Sequence, residues 1–150
     1  MKGSIASAVL IAQVVGSVGM FGVIWTIQLV HYPLMRAIPD DAFVAYEQKH
    51  TRMISFLVGP LMAIEGVCVL AVFFFRPPGV PIWSTVVGGV LEAIAIGVTA
   101  FISAPTHGQL ESGKNDALLN RLIATNWFRT AAWTGRAAIA IYMLVAFSAS

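Results

Sequence analysis

Four apolar stretches, residues 5–30, 54–75, 82–104 and 122–147, limit what this chain can fold into. Each runs 22–26 residues, and a helix rising about 1.5 Å per residue needs roughly 20 to cross about 30 Å of hydrocarbon. Of the chain's charged residues only Glu65, Glu92, Arg129 and Arg136 fall inside these stretches. Charged residues make up 11% of the chain, against about 25% in an ordinary soluble domain, so the chain cannot clothe a globular surface in charge. The predicted fold class is all-α: a single integral membrane domain over residues 1–150, built as a four-helix transmembrane bundle.

The same features exclude other classes. A lone cysteine, Cys68, forms no internal disulfide, and a net charge of +2 with no basic stripe excludes nucleic acid as a partner. A soluble enzyme is excluded by the spans themselves. Lys2 before an apolar run resembles a signal peptide, but the run stays uncharged to Val30, beyond the roughly 7–15 residues of a signal's apolar region. It reads as a retained first span.

The connections divide unequally between the two membrane faces. Spans 2 and 3 are joined by the tight Arg76-Pro77-Pro78-Gly79-Val80-Pro81 turn, whereas the other two connections are long and carry most of the charge. Pro33 disfavours helix at Tyr32 and is expected to end span 1. Asp40 and Asp41 after Pro39 favour a new helix start, running unbroken into span 2 and bending at Gly59-Pro60. Gly113 interrupts the chain, Asn115 or Asp116 caps, and Ala117 to Phe147 is one helix of about 45 Å. Two helices therefore extend beyond the bilayer on one face. That face holds Arg36, Lys49, Arg52, Lys114 and Arg121 against Lys2 and Arg76 on the other. The expected location is a multi-pass protein of a bacterial inner membrane, with the long connections in the cytoplasm and both termini outside. His31 and His107 share a 76-residue offset with His50 and Asn126; matching helix ends in any four-span protein account for this without a repeat.

Ionisable residues at bilayer depth point to function. Each costs about 2.5–3.5 kcal/mol to insert unpaired, so Glu65, Glu92, Arg129 and Arg136 are expected to form one balanced network of two acids and two bases. Asn126, Arg129, Trp133 and Arg136 share one stripe of span 4, and Gln28 and His31 lie one turn apart on span 1, after Gly16, Gly19 and Gly22. Trp133 is placed to wall a flat ligand or stack on an arginine. Trp25, Tyr32, Trp83, Trp127 and Tyr142 read as interfacial aromatics, and Phe73-Phe74-Phe75 as lipid-facing surface.

All three histidines gather on the long-connection face. They suit proton transfer, substrate binding, or ligation of a metal or haem. No His-x-x-x-His spacing or cysteine pair is present, and no metal site is assigned; the set that would form one is His31, His50, His107 and Glu65.

His31-Tyr32-Pro33-Leu34, Gly59-Pro60-Leu61-Met62 with Glu65, Pro105-Thr106-His107, and Thr125 to Thr130 with Trp133 and Arg136 resemble a group of small bacterial four-span membrane proteins across nearly the whole chain. More distantly, the span pattern and the Asn126/Arg129 element are similar to the anthrone-oxygenase-like membrane family. That resemblance implies oxygenation of polycyclic phenols without an obvious cofactor, carried over only to Asn126 and Arg129.

The expected function is a membrane-embedded oxidoreductase or oxygenase acting on a hydrophobic aromatic or quinone-like molecule. His31, His107 and Arg129 are the candidate catalytic residues. Gln28, Asn126, Trp133, Arg136, Glu65 and Glu92 are the candidates for substrate binding. Two alternatives stand beside it: a non-catalytic accessory subunit or proton-conducting component, within a homo-oligomer or larger membrane complex, and a haem- or metal-binding electron-transfer protein. The other expected partners are the lipid bilayer and the hydrophobic small molecule.

Overall fold

The computed structural model describes residues 2–150, with side chains from Ser4 onward, so Lys2, counted in the charge bias, lies outside the described side chains. The elements are α1 (Lys2–Thr26), a π-helical turn (Ile27–His31), α2 (Tyr32–Met35), α3 (Asp40–Phe74), α4 (Ile82–Val98), a second π-helical turn (Thr99–Ser103), α5 (Ala104–Leu110) and α6 (Asp116–Ser148). No strand occurs among the described residues. These elements join into four rods, Ser4–Met35, Asp40–Phe74, Ile82–Leu110 and Asp116–Ser148, each long and apolar enough to cross a membrane.

Pro33 does not end the first rod. It stands at the start of α2, directly after the π turn, where the wider i→i−5 hydrogen-bond pattern accommodates a residue with no N–H to donate. Pro105 is carried through the third rod in the same way, within the first turn of α5. His107 therefore rides on a helix. The long connections shrink to the segments 36–39 and 111–115 because their residues extend the rods.

The remaining helix starts follow local chemistry. Asp40 and Asp41 fill the first turn of α3, where carboxylates complement the positive helix terminus, although Pro39 offers no side-chain cap. Asn115 caps α6, its Oδ1 accepting from Ala117 N at 2.9 Å and Leu118 N at 3.1 Å. Lys114 Nζ ties the two short connections together, donating to the carbonyls of Ile38 at 2.7 Å and Arg36 at 3.0 Å. On the opposite face the turn into α4 needs Gly79, whose φ is +75° and whose Cβ would lie 2.9 Å from the Ala146 carbonyl.

Around the bundle, α1 packs on α3 and α6, and α4 packs on α6 and, less closely, on α3. Apolar layers stack inside it: Ile27, Tyr32, Met35, Phe43, Leu110, Leu119 and Leu122 at the long-helix face, Met20, Ile24, Ala95, Ala132 and Trp133 at mid-depth, and Leu10, Val72, Val80 and Met143 toward the termini. Large apolar side chains such as Phe56, Phe74 and Phe101 point outward, as a hydrocarbon solvent permits.

The order helix, π turn, proline-bearing helix and long helix occurs twice. The two π turns and the two prolines are each related by 72 residues, so the architecture repeats at an offset different from the 76 residues separating His31 and His107. The α1–α6 and α3–α4 seams are equivalent under this repeat, and only the second is loose.

Asn115→Ala is expected to destabilise the protein by about 1 kcal/mol, while Asn115→Asp is expected to keep wild-type stability. Thermal unfolding in detergent, followed by circular dichroism at the helical band, checks both.

Candidate functional site

The buried polar residues separate into two groups. The first surrounds Arg136 at mid-depth. Its Nε lies 3.0 Å from Glu65 Oε2 and 3.7 Å from Glu92 Oε2. Glu65 Oε2 also accepts from Ser17 Oγ at 2.7 Å. With its amide oxygen turned toward the guanidinium, Gln13 accepts from Arg136 Nη1 at 3.0 Å and Nη2 at 3.1 Å. Glu92 is buried with no hydrogen-bond donor on either oxygen. Glycines make the close approach: a Cβ on Gly16 would sit 2.8 Å from Glu65 Oε1, and one on Gly88 would sit 3.0 Å from Arg136 Nη1.

Arg129 is not part of that network, contrary to the expected set of two acids and two bases. It lies two turns earlier on α6, about 10 Å along the axis, and joins the second group at the long-helix face. Its Nη1 donates to Asn126 Oδ1 at 2.9 Å, Asn126 Nδ2 donates to Gln28 Oε1 at 2.8 Å, and Gln28 Nε2 donates to the Ile123 carbonyl at 3.3 Å. This chain orients a guanidinium that is 5% exposed and has no hydrogen-bond acceptor at Nε.

Beside it, three helices assemble a hydrogen-bonded relay of Tyr32, His107 and Glu47. Tyr32 on α2 places its hydroxyl 3.1 Å from His107 Nε2 on α5, and His107 Nδ1 lies 2.5 Å from Glu47 Oε1 on α3. Glu47 is fully buried. Because a carboxylate only accepts, the network assigns the His107 proton to Nδ1 and leaves Nε2 to accept from Tyr32.

A cavity of about 230 Å³ opens on this relay. Tyr32, His50, His107 and Arg129 supply its polar wall, Ile27, Ile54 and Val58 its apolar wall, and Ser103, Thr99 and Ser55 line it as well. Both π turns contribute residues, placing a locally widened helix on each side of the space.

His50 links the cavity to His31. The His50 and His107 rings stand 5.3 Å apart, those of His31 and His50 stand 4.3 Å apart, and Tyr46 Oη lies 3.4 Å from His31 Nε2. His31 thus sits behind His50 and does not line the cavity. Trp133 does not line it either. It is fully buried among Met20, Ile24, Ala95 and Ala132, so its expected place against a flat ligand is corrected: on the stripe that carries Arg129, Trp133 faces the apolar mid-layer. Glu65, Glu92 and Arg136 belong to the mid-depth group rather than to the cavity.

The four-residue metal set does not assemble. Glu65 lies about 22 Å along α3 from His50, both ring nitrogens of His107 are engaged, and no group of three or more His, Cys, Asp or Glu among the described residues converges as ligands.

Tyr32 and Glu47 are the residues that sequence reasoning missed. Tyr32 was expected at the interface but is 2% exposed, because the helix continues through Pro33 and turns it inward. Glu47 stands among the charges of a stretch that reads as solvated. Its partner His107 stands 60 residues further along the chain, so no local spacing marks the pair.

Comparison with protein-family models, characterised proteins and solved structures finds no match.

Arg136→Met leaves two buried carboxylates without a countercharge and is expected to cost about 3–5 kcal/mol. Adding Glu65→Gln and Glu92→Gln is expected to recover most of the loss, measured as the thermal unfolding midpoint in one detergent.

Proposed function

We propose that the chain is a membrane-embedded enzyme, an oxidoreductase or oxygenase that begins by removing a proton from a hydrophobic aromatic or quinone-like molecule. The observation that carries this reading is the Tyr32–His107–Glu47 relay opening on a cavity with a buried, oriented guanidinium. Chains of this kind, in which a buried acid holds an imidazole in one tautomer and the imidazole faces a hydroxyl, are arrangements that move protons.

In this mechanism a ring hydroxyl of the substrate gives its proton to the Tyr32 oxygen as Tyr32 passes its own to His107 Nε2. Glu47 stabilises the imidazolium that forms, as a buried carboxylate does for a catalytic histidine. Arg129 faces the oxyanion left on the substrate, and Asn126 and Gln28 hold the guanidinium in place so that little reorganisation is needed as charge develops. The electron-rich anion is then the species open to oxidation. The similarity of Asn126 and Arg129 to the anthrone-oxygenase-like element supports dioxygen as the oxidant.

The cavity also sets a size. Small-molecule sites usually span about 300–1,000 Å³, so this space of about 230 Å³ admits a flat ring system and little else. We place the relay at the cytoplasmic face of a bacterial inner membrane, because the cations Arg36, Lys49, Arg52, Lys114 and Arg121 gather there.

Tyr32→Phe and His107→Gln are each expected to lower turnover by about 10²–10⁴-fold, and Arg129→Met to do so by about 10²-fold or more. The assay is oxygen uptake by the protein in liposomes with anthrone and naphthohydroquinone as probes. Wild-type rates in all three variants would refute the mechanism.

A further inference from the structure

We infer that the cavity loads from the lipid phase, through the seam between α3 and the α4–α5 rod, and takes an amphiphile whose hydroxylated ring enters while its apolar tail stays in the bilayer. This rests on reading the cavity as a substrate site.

The seam is where the lining residues converge. Ile54, Ser55 and Val58 come from α3, and Thr99, Ala104, His107 and Gly108 from the rod opposite. Ser55, Ala104 and Gly108 are small and exposed at the rim, and a Cβ added to Gly108 would meet nothing within 4 Å. In the repeated architecture the equivalent seam between α1 and α6 is closely packed, so the opening is specific to the half of the bundle that holds His107.

What surrounds the gap decides from which side it is reached. Phe101 in the second π turn, between the lining residues Thr99 and Ser103, is 81% exposed, an apolar surface that only lipid covers favourably in a membrane. At the end of the seam nearer the connections, Thr51 Oγ1 donates to Glu111 Oε1 at 2.7 Å. Gln48 and Arg52 stand beside that hydrogen bond on the polar side. Thr51, Ser55 and Glu111 border both the cavity and a polar hollow with Gln48 and Arg52, so this hydrogen bond crosses the seam on the side of water. Deeper along the seam no hydrogen bond joins residues 54–58 to residues 99–108. A molecule crossing it below the Thr51–Glu111 hydrogen bond keeps its tail in lipid, and the volume above the relay accommodates the ring alone.

Two measurements test this in a Cys68→Ala background reconstituted in phosphatidylcholine vesicles. A nitroxide on Ser55→Cys is expected to be relaxed more strongly by oxygen, which concentrates in lipid, than by a water-soluble nickel chelate; the reverse order overturns the proposal. A long-tailed azidonaphthol dissolved in the vesicle membrane is expected to label residues 54–58 and 104–108, as located by mass spectrometry. Gly108→Trp, and independently the exposed-site variant Ser55→Trp, are expected to reduce labelling about tenfold, while Arg52→Ala, outside the cavity, leaves it unchanged. Labelling that survives both tryptophans would place the route outside this seam and overturn the lipid route alone. No labelling of the cavity, with the nitroxide still lipid-exposed, would overturn the substrate-site reading and the loading route together.

Discussion

The guanidinium of Arg136 reaches every membrane-crossing rod. It stands on α6, pairs with two carboxylates from α3 and α4, and donates to Gln13 of α1. Hydrocarbon offers no water to satisfy polar groups, so these side chains can be buried only by finding one another. That requirement sets how closely the helices come together: Gly16 and Gly88 lie where any larger residue would press on Glu65 or Arg136. Small residues on α1 and α4 are thus a consequence of the ion group as much as a general aid to helix packing.

The relay depends on that anchor through the register of α6. Arg129 and Asn126 lie two and nearly three turns before Arg136 along the same stripe, so orienting one orients the others. The second requirement is that Tyr32 and His107 approach each other from rods on opposite corners of the bundle. They do so because both rods continue past a proline, and the relay closes when Glu47 meets His107 from the extension of α3. The mid-depth polar group joins the four rods, and the outer one borders the cavity.

The four rods were legible because crossing hydrocarbon leaves a long uncharged run that few other demands produce. The extension of α3 and α6 beyond the apolar runs was legible too, from the absence of breakers after Asp40 and Asp116. Charge counting placed Arg129 with Glu65 and Glu92 because a formal balance carries no distance; the two turns separating it from Arg136 were written in the numbering and outweighed by the arithmetic. Glu47 was hidden by its neighbours Lys49 and Arg52, which point to solvent, whereas its own side chain faces inward. Tyr32 was hidden by Pro33. A proline inside a regular α-helix is costly, but one that follows a π turn is accommodated, and single-residue preferences do not reveal the π turn that makes the difference. Trp133 was misplaced because sharing a stripe with two arginines does not fix what a side chain packs against, and Trp133 meets the apolar Met20, Ile24, Ala95 and Ala132.

Each π turn places one more residue in a turn than an α-helix would. Everything beyond it is rotated by about 100° relative to an uninterrupted α-helix. Deleting one residue from 27–31 or 99–103 would restore a regular helix with an equally apolar surface, yet swing Tyr32 or His107 away from its partner. The membrane constrains the composition of these rods and leaves much freedom in which apolar residue stands where. At these two turns the inherited quantity is the residue count itself, so insertions and deletions, rather than substitutions, are the changes to which the relay has least tolerance.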